Sequence, residues 1–367
     1  LPSYSRAEYI DAEPPEEWDT FLGDVSGSHP EQSSGWAFAE RVHGWESAWI
    51  LVREEGETVA GVQILHRKVA HVGRIAYIRC GPVFRKGQSK NCRKLFSALN
   101  HWAASSGVRY CVVNPGRATT ECVTRLRQAG FMLKPEAVPP RILTDATLFI
   151  DLWEPSEQLL LGMRRERRRE IRLASRSGMV FREGGANDLT VFYDLMRMTA
   201  ARQGVAPIPA NIDFVKALWS NLHPKANMRL FLVQLDDHPI SAGVILPFSD
   251  TVRFWRYGWN GENAKQYPNT FLYWKMIQWS KVNGFRFFDI VQVDRALAEK
   301  LAANIPLSAF DRGHRMYGST FFKMGFGGKV IPLAEPVCRL YPDCLNGIFR
   351  FLGPRICRLR FMRKWIR

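Results

Sequence analysis

Long apolar runs are missing from this chain. None of its 367 residues falls in a stretch approaching the ~18 to 20 apolar positions that a bilayer-spanning helix needs, so no membrane-spanning helix is expected. It begins at Leu1 without a basic region followed by an apolar one, so no cleaved secretion signal is expected. The cysteines are seven, an odd number, at Cys80, Cys92, Cys111, Cys122, Cys338, Cys344 and Cys357, with no C-x-x-C pair or framework spacing. That pattern points to a reducing, cytoplasmic compartment. The eight histidines form no H-E-x-x-H, so no metal site is expected. Absent too are a G-x-S-x-G elbow, a G-x-x-x-x-G-K-[ST] loop and a G-x-G-x-x-G turn, which removes the main support for serine hydrolase, P-loop and dinucleotide-binding functions.

Acidic residues are also in deficit. Lys and Arg number 51 against 35 Asp and Glu, a net charge of +16, so the expected partners are polyanions. The imbalance sits in one half: residues 1–145 carry 18 basic and 16 acidic side chains (+2), and residues 146–367 carry 33 and 19 (+14).

What is present is an internal repeat. Residues 48–65 read as strand, charged turn at Gly56 and strand, and residues 229–246 repeat the layout with Asp236, Asp237, His238 and Pro239 at the turn. Each hairpin is followed by a strand (74–79; 252–259), a loop, a helix stopped by glycine (90–106 before Gly107; 270–283 before Gly284) and a last strand (108–113; 285–291). Helical stretches precede both hairpins, at 14–45 and 188–222. The fold class expected is therefore α/β (α+β), with two homologous domains at 1–145 and 146–330, a basic segment at 331–367 that packs back on the first domain, and a ligand in the cleft between the domains.

Several segments could carry chemistry. Residues 156–178 read as one basic helix with Ser156 as N-cap and Gly178 as its stop. Arg164, Arg168 and Arg172 recur at i, i+4, i+8, with Arg165 and Arg169 on a neighbouring face; Glu166 and Glu170 can pair with only some of them, and arginine forks suit phosphate oxygens. The stretch 348–367 has basic residues on one side and apolar ones on the other, a pattern that fits an anionic membrane surface or a helix docked on the protein. Among the aromatics crowded into 254–288, most must be core, and Tyr257, Trp259 and Tyr273 are candidates to line a substrate cleft. Asp289, Asp294 and Asp311 follow strands or precede turns; Asp289, ending an apolar strand, could orient an amine or accept its proton, while an Asp at such a place also caps turns.

Three of these segments together, MRRERRREIRLASRSG within 159–178, FLYWKMIQWSKVNGFRFFDI at 271–290 and YGSTFFKMGFGGKV at 317–330, resemble the Fem family of peptidoglycan aminoacyltransferases and its FemAB-like relatives. The resemblance implies two GNAT-like domains in tandem, which agrees with the repeat. It implies transfer of an aminoacyl group from charged tRNA to an amine of a peptidoglycan precursor or similar acceptor, with no metal or redox cofactor. Phe322 and Lys323 match the late Phe-Lys motif, which makes Lys323 the electrostatic stabiliser; from the residues alone it would be a surface lysine of a β-hairpin. Arg315 and Tyr317, leading into that motif, are further candidates for the substrate site. Arg164, Arg165, Arg168, Arg169 and Arg172 would contact tRNA or substrate phosphates.

Two departures from the family matter. Where it commonly has Asp-Pro after the last strand of the first domain, this chain has Asn114-Pro115, so Asn114 could position substrate but not act as a base. No room exists within 176–229 for a long helical arm, which fits an armless, FemX-like layout. Two rival readings remain. One is an N-acyltransferase using acyl-CoA, disfavoured because neither loop 80–90 nor 260–270 has R/Q-x-x-G-x-G/A spacing, and expected to show an open splay between central strands. The other is a non-catalytic RNA- or membrane-binding protein.

Overall fold

A computed structural model describes residues 5–117, 120–134, 145–342 and 344. The chain divides into two units, Leu1–Leu143 with Leu333–Arg367, and Thr144–Pro332.

In the first unit the order is β1 (Ser5–Asp11), α1 (Trp18–Asp24), α2 (Ser34–Glu40), β2 (Glu46–Glu54), β3 (Glu57–Val69), β4 (Gly73–Arg79), β5 (Val83–Phe84), α3 (Cys92–Ser105), β6 (Val108–Asn114), α4 (Thr120–Gln128) and β7 (Met132–Leu133). The second unit runs β8 (Ala146–Asp151), α5 (Ser156–Leu161), α6 (Arg165–Ala174), β9 (Val180–Gly184), α7 (Leu189–Arg202), α8 (Ile212–Leu222), β10 (Arg229–Leu235), β11 (His238–Phe248), β12 (Thr251–Trp259), α9 (Pro268–Val282), β13 (Phe287–Asp289), α10 (Arg295–Ala302), α11 (Ala309–Gly313), α12 (Tyr317–Met324) and β14 (Lys329–Pro332). The chain then returns to the first unit as β15 (Val337–Leu340).

The two sheets repeat one another. The first has the order β1-β2-β3-β4-β6-β15-β7, with β5 on β3, and the second β9-β10-β11-β12-β13-β8-β14. Among the described residues each has a single parallel pair, β4–β6 and β12–β13. A parallel pair cannot be closed by a tight turn and needs a crossover, which α3 supplies in one unit and α9 in the other. These are the two glycine-stopped helices of the sequence repeat. Central strands are buried on both faces: Ala48–Val52 of β2 and Thr58–His66 of β3 are buried without alternation, which is why they read as continuous apolar runs.

The basic segment corrects one expectation. Residues 156–178 form two helices, not one, with α5 and α6 separated by Gly162, Met163 and Arg164; Pro155 holds the N-cap place and Ser156 is the first helical residue. The break is where the 325–328 glycines dock. The Arg164 amide donates to the Gly325 carbonyl at 3.0 Å, and a Cβ on Gly327 would lie 2.6 Å from the Gly162 carbonyl oxygen, so only glycine allows that approach. Gly178 lies beyond the end of α6, in the turn into β9. The expected last strand of the second unit is also shorter, ending at Asp289. The stretch 348–367 lies outside the described residues.

Candidate functional site

The second unit's parallel pair is brief. β12 and β13 share three rungs, Thr251 with Phe287, Val252 with Phe288 and Arg253 with Asp289, after which β12 runs on through Phe254–Trp259 without a β13 partner. The chain leaving β13 stays on the edge of β8, with the Ile290 amide donating to Leu148 and the Val293 amide to Ala146. Between them Val291 and Gln292 both take left-handed backbone, φ 49° each. Such a conformation costs about 1 to 3 kcal/mol per non-glycine residue and persists only where surrounding structure enforces it.

Lys323 supplies that enforcement. It lies on helix α12, 8% exposed, and Nζ donates to the carbonyls of Val291 at 3.1 Å and Gln292 at 2.9 Å. The hairpin reading of this lysine is therefore corrected: the segment is helical because Tyr317–Met324 packs against α10 and α11 rather than pairing with a strand. Burial, with Arg256 adding to it against the opposing pull of Asp289, lowers the ammonium to about 8. Lysine has three N–H donors; two are spent on these carbonyls, leaving one without a protein acceptor among the described residues.

Asp289 is buried and already engaged. Its Oδ1 accepts from the Thr147 hydroxyl and from the Val291 amide at 2.8 Å, and Oδ2 faces Arg253 Nε at 3.9 Å. Asp294 and Asp311 are caps: Asp294 accepts from the Leu297 amide, and Asp311 completes a capping box with Ser308.

The aromatics divide. Tyr273 is fully buried, stacked on Phe254 at 4.3 Å and Phe326 at 5.4 Å, with Phe322 edge-on at 5.3 Å and Tyr257 at 6.2 Å. Burial raises both tyrosines, so both stay neutral phenols. Tyr257, Tyr273 and Phe322 are thus brought together. Trp259 is engaged elsewhere, with Arg202 over its ring at 4.8 Å and its indole N–H on the Glu262 carbonyl at 2.8 Å. Arg315 is exposed, and Tyr317 bonds through its amide to His314 and packs on Phe321.

The arginines divide as well. Arg165, Arg169 and Arg172 are exposed. Arg164 covers the Phe321 ring at 4.5 Å, and Arg168 bonds the carbonyls of Leu161 at 3.0 Å and Met163 at 2.6 Å, closing the break between α5 and α6. Arg167 was missed by the sequence reading. It shares its helix face with Ile171 and Ala174 at i+4 and i+7, all three buried, and that spacing was the signal.

In the first unit Asn114 ends β6 opposite Arg79. No pattern in the chain foretells the acid beside it: Arg79 forks onto Glu31, Nε at 3.1 Å and Nη2 at 2.8 Å. Burial pushes the Glu31 carboxyl up, but Arg79 and His29 outweigh it and hold it down at about 2. His29, Glu31 and Cys80 place possible ligand atoms within 4.8 Å of one another. Glu31 is already taken by Arg79, however, and His29 Nδ1 accepts the Glu31 amide at 3.2 Å, so the donor set does not fit a cation well.

The fold is GNAT-like, with two such units in tandem. A family model described as an acetyltransferase (GNAT) domain matches residues 162–296. A lipid II:glycine glycyltransferase of Staphylococcus epidermidis is 25% identical over 228 residues, covering 58% of this chain and 53% of the relative. Among solved structures, FemX superposes with a TM-score of 0.79 at 16% identity, covering 94% of this chain and 99% of that one, and a tandem GNAT protein from the clavulanic acid biosynthesis pathway with 0.52 at 8%, covering 91% and 98%. The resemblance to the Fem family read from the sequence holds in these comparisons, and so does the tandem GNAT-like architecture. The chain spans about half the length of the curated relatives it matches.

Proposed function

We propose that the protein is an aminoacyltransferase that moves an aminoacyl group onto an amine of a peptidoglycan precursor, with charged tRNA as donor. The observation that supports this most is Lys323: a buried ammonium, held by two carbonyls, with one N–H left to point at a reacting oxygen. The glycyltransferase relatives support the acceptor class.

The reaction is aminolysis of an ester. The acceptor nitrogen forms a bond to the ester carbonyl carbon, negative charge gathers on the carbonyl oxygen, and the bond to the ribose oxygen breaks as that oxygen takes up the proton lost by the amine. A pre-oriented cation in a water-poor place lowers that barrier most, because its dipoles and charge need no reorganisation. Lys323 fills this role, and Phe322, next to it in the chain, packs its ring with Tyr273 and Phe326. This chemistry asks for no metal or redox group. The exposed Arg165, Arg169 and Arg172 would meet phosphates of the donor. No described helix is long and apolar enough to cross a membrane, and a cytoplasmic site of action, with contact to the inner membrane face through 348–367, is part of the proposal.

A second reading keeps the fold and takes acyl-CoA as donor. It draws on the short pairing of β12 with β13, which ends after three rungs, since such a donor needs an open splay between central strands. Incubation with glycyl-tRNA and, separately, acetyl-CoA in the presence of a peptidoglycan precursor decides between them: transfer of glycine supports the first, transfer of acetyl the second, and neither overturns both.

A further inference from the structure

We propose that Arg167 is a positioning residue that fixes where the Lys323 ammonium sits; the inference rests on Lys323 being the electrostatic stabiliser. Arg167 is 7% exposed and reaches into three elements. Nη1 bonds Glu170 and, at 2.6 Å, the Thr270 hydroxyl at the start of α9, while Nη2 donates to the carbonyl of Phe322, the residue before Lys323, at 2.9 Å. Its guanidinium lies over the rings of Phe322 at 4.2 Å and Phe326 at 4.6 Å. A Cβ at Gly325 would stand 3.0 Å from Arg167 Nε and 3.1 Å from the Phe322 carbonyl oxygen, closer than side chains normally pack. The C-terminal end of α12 is therefore gripped twice, by Arg167 at the Phe322 carbonyl and by the Val291 and Gln292 carbonyls at Nζ.

A buried arginine kept only for packing would be an expensive choice. Charges lose solvation on burial, and apolar residues of similar volume often replace buried ion pairs without loss of stability. What an apolar side chain cannot do is hold one backbone carbonyl and one hydroxyl at fixed angles, which the planar fork does. Removing Arg167 frees α12 to shift, and Lys323 moves with it.

Lys323 reports such a shift by its own titration. Burial sets its midpoint first, then Arg256 on β12 and Asp289 on β13. On α10 and α11, Arg295 pairs with Glu299 and Lys300 with Asp311, while Arg312 is exposed. Amine labelling of the full chain with acetic anhydride across pH, read at Lys323 by mass spectrometry, should give a midpoint near 8 in the native protein. In Arg167→Met the midpoint should rise by one unit or more toward that of a solvated lysine, with kcat at least tenfold lower and KM for both substrates within threefold. Arg167→Lys should recover the melting temperature but not the midpoint, since one ammonium cannot span the same acceptors, and it carries the test if Arg167→Met does not fold. An unchanged midpoint and kcat in either folded variant overturns the proposal and leaves Arg167 a packing residue. If Lys323→Ala keeps full activity, the catalytic reading of Lys323 fails separately, because the labelling midpoint does not depend on turnover.

Discussion

Arg253 faces Asp289 in the last rung that β12 and β13 share, with 3.9 Å between Nε and Oδ2. The first unit has the same rung with one change: Arg79 stands opposite Asn114, and its carboxylate partner comes instead from Glu31, 48 residues earlier in the chain. Two copies of one fold thus keep a strand arginine and satisfy it from different places. In the second copy the acid lies beside the segment that carries the carbonyls holding Lys323.

Asp289→Asn should keep the hydrogen bonds from Thr147 and Val291 through its amide oxygen and remove the charge that faces Arg253. With Arg253 buried, the expected loss of stability is about 3 kcal/mol. Urea unfolding of the two proteins measures it; a difference within 0.5 kcal/mol, roughly the scatter of surface substitutions, would mean that this pair is not an anchor.

Glu31 should give the protein an acid-sensitive step. Its carboxyl is lower in the folded state than in the unfolded one, so its contribution is complete above about pH 4.5 and is lost as pH falls toward about 2. The size is about 3 kcal/mol at most. Unfolding free energies measured between pH 6 and pH 2 should fall over that window, and Glu31→Gln should flatten the fall.

Lys323 should set the alkaline limb of activity. The ammonium is the form that stabilises an oxyanion, and its lowered value means that kcat declines as pH rises through about 8. Stability should respond in the opposite sense, because the unfolded lysine binds its proton more tightly than the folded one, and raising pH above 8 removes that penalty. Lys323→Ala should lower kcat by about a hundredfold, abolish the limb and leave acceptor KM little changed; an alkaline limb that persists in the variant assigns it to another group.

The arginines of α6 should separate by role. Arg168→Ala removes two bonds to carbonyls at the break between α5 and α6 and should cost about 2 kcal/mol. Arg169→Glu with Arg172→Glu touches exposed side chains and should leave stability within about 0.5 kcal/mol. That double variant should instead weaken tRNA binding and make it less dependent on salt. Fluorescence titration at several salt concentrations tests this, and an unchanged slope removes the phosphate-contact role.

Much of the fold was legible because it rests on local chemistry. Alternating and continuous apolar runs marked the strands, and Gly107 and Gly284, with φ of 69° and 81°, stopped the two crossover helices where left-handed backbone was required. The late motif stood out by its resemblance to the Fem family, but what its glycines touch did not. Gly325, Gly327 and Gly328 answer to Arg167, the Gly162 carbonyl and the Phe149 carbonyl, none of which is near them in sequence.

The chain by itself therefore determined that there are two related α/β units, where their strands and crossover helices lie, and that positive charge gathers in the later half. Tertiary structure alone decided that Lys323 is buried, which carbonyl, hydroxyl and rings Arg167 meets, and that Arg79 finds its acid at Glu31. Periodicity reports which residues share a face of one element. Whether that face meets solvent, a carbonyl or a ring depends on segments that arrive from far away, as Phe322 reaches Arg167 across 155 residues.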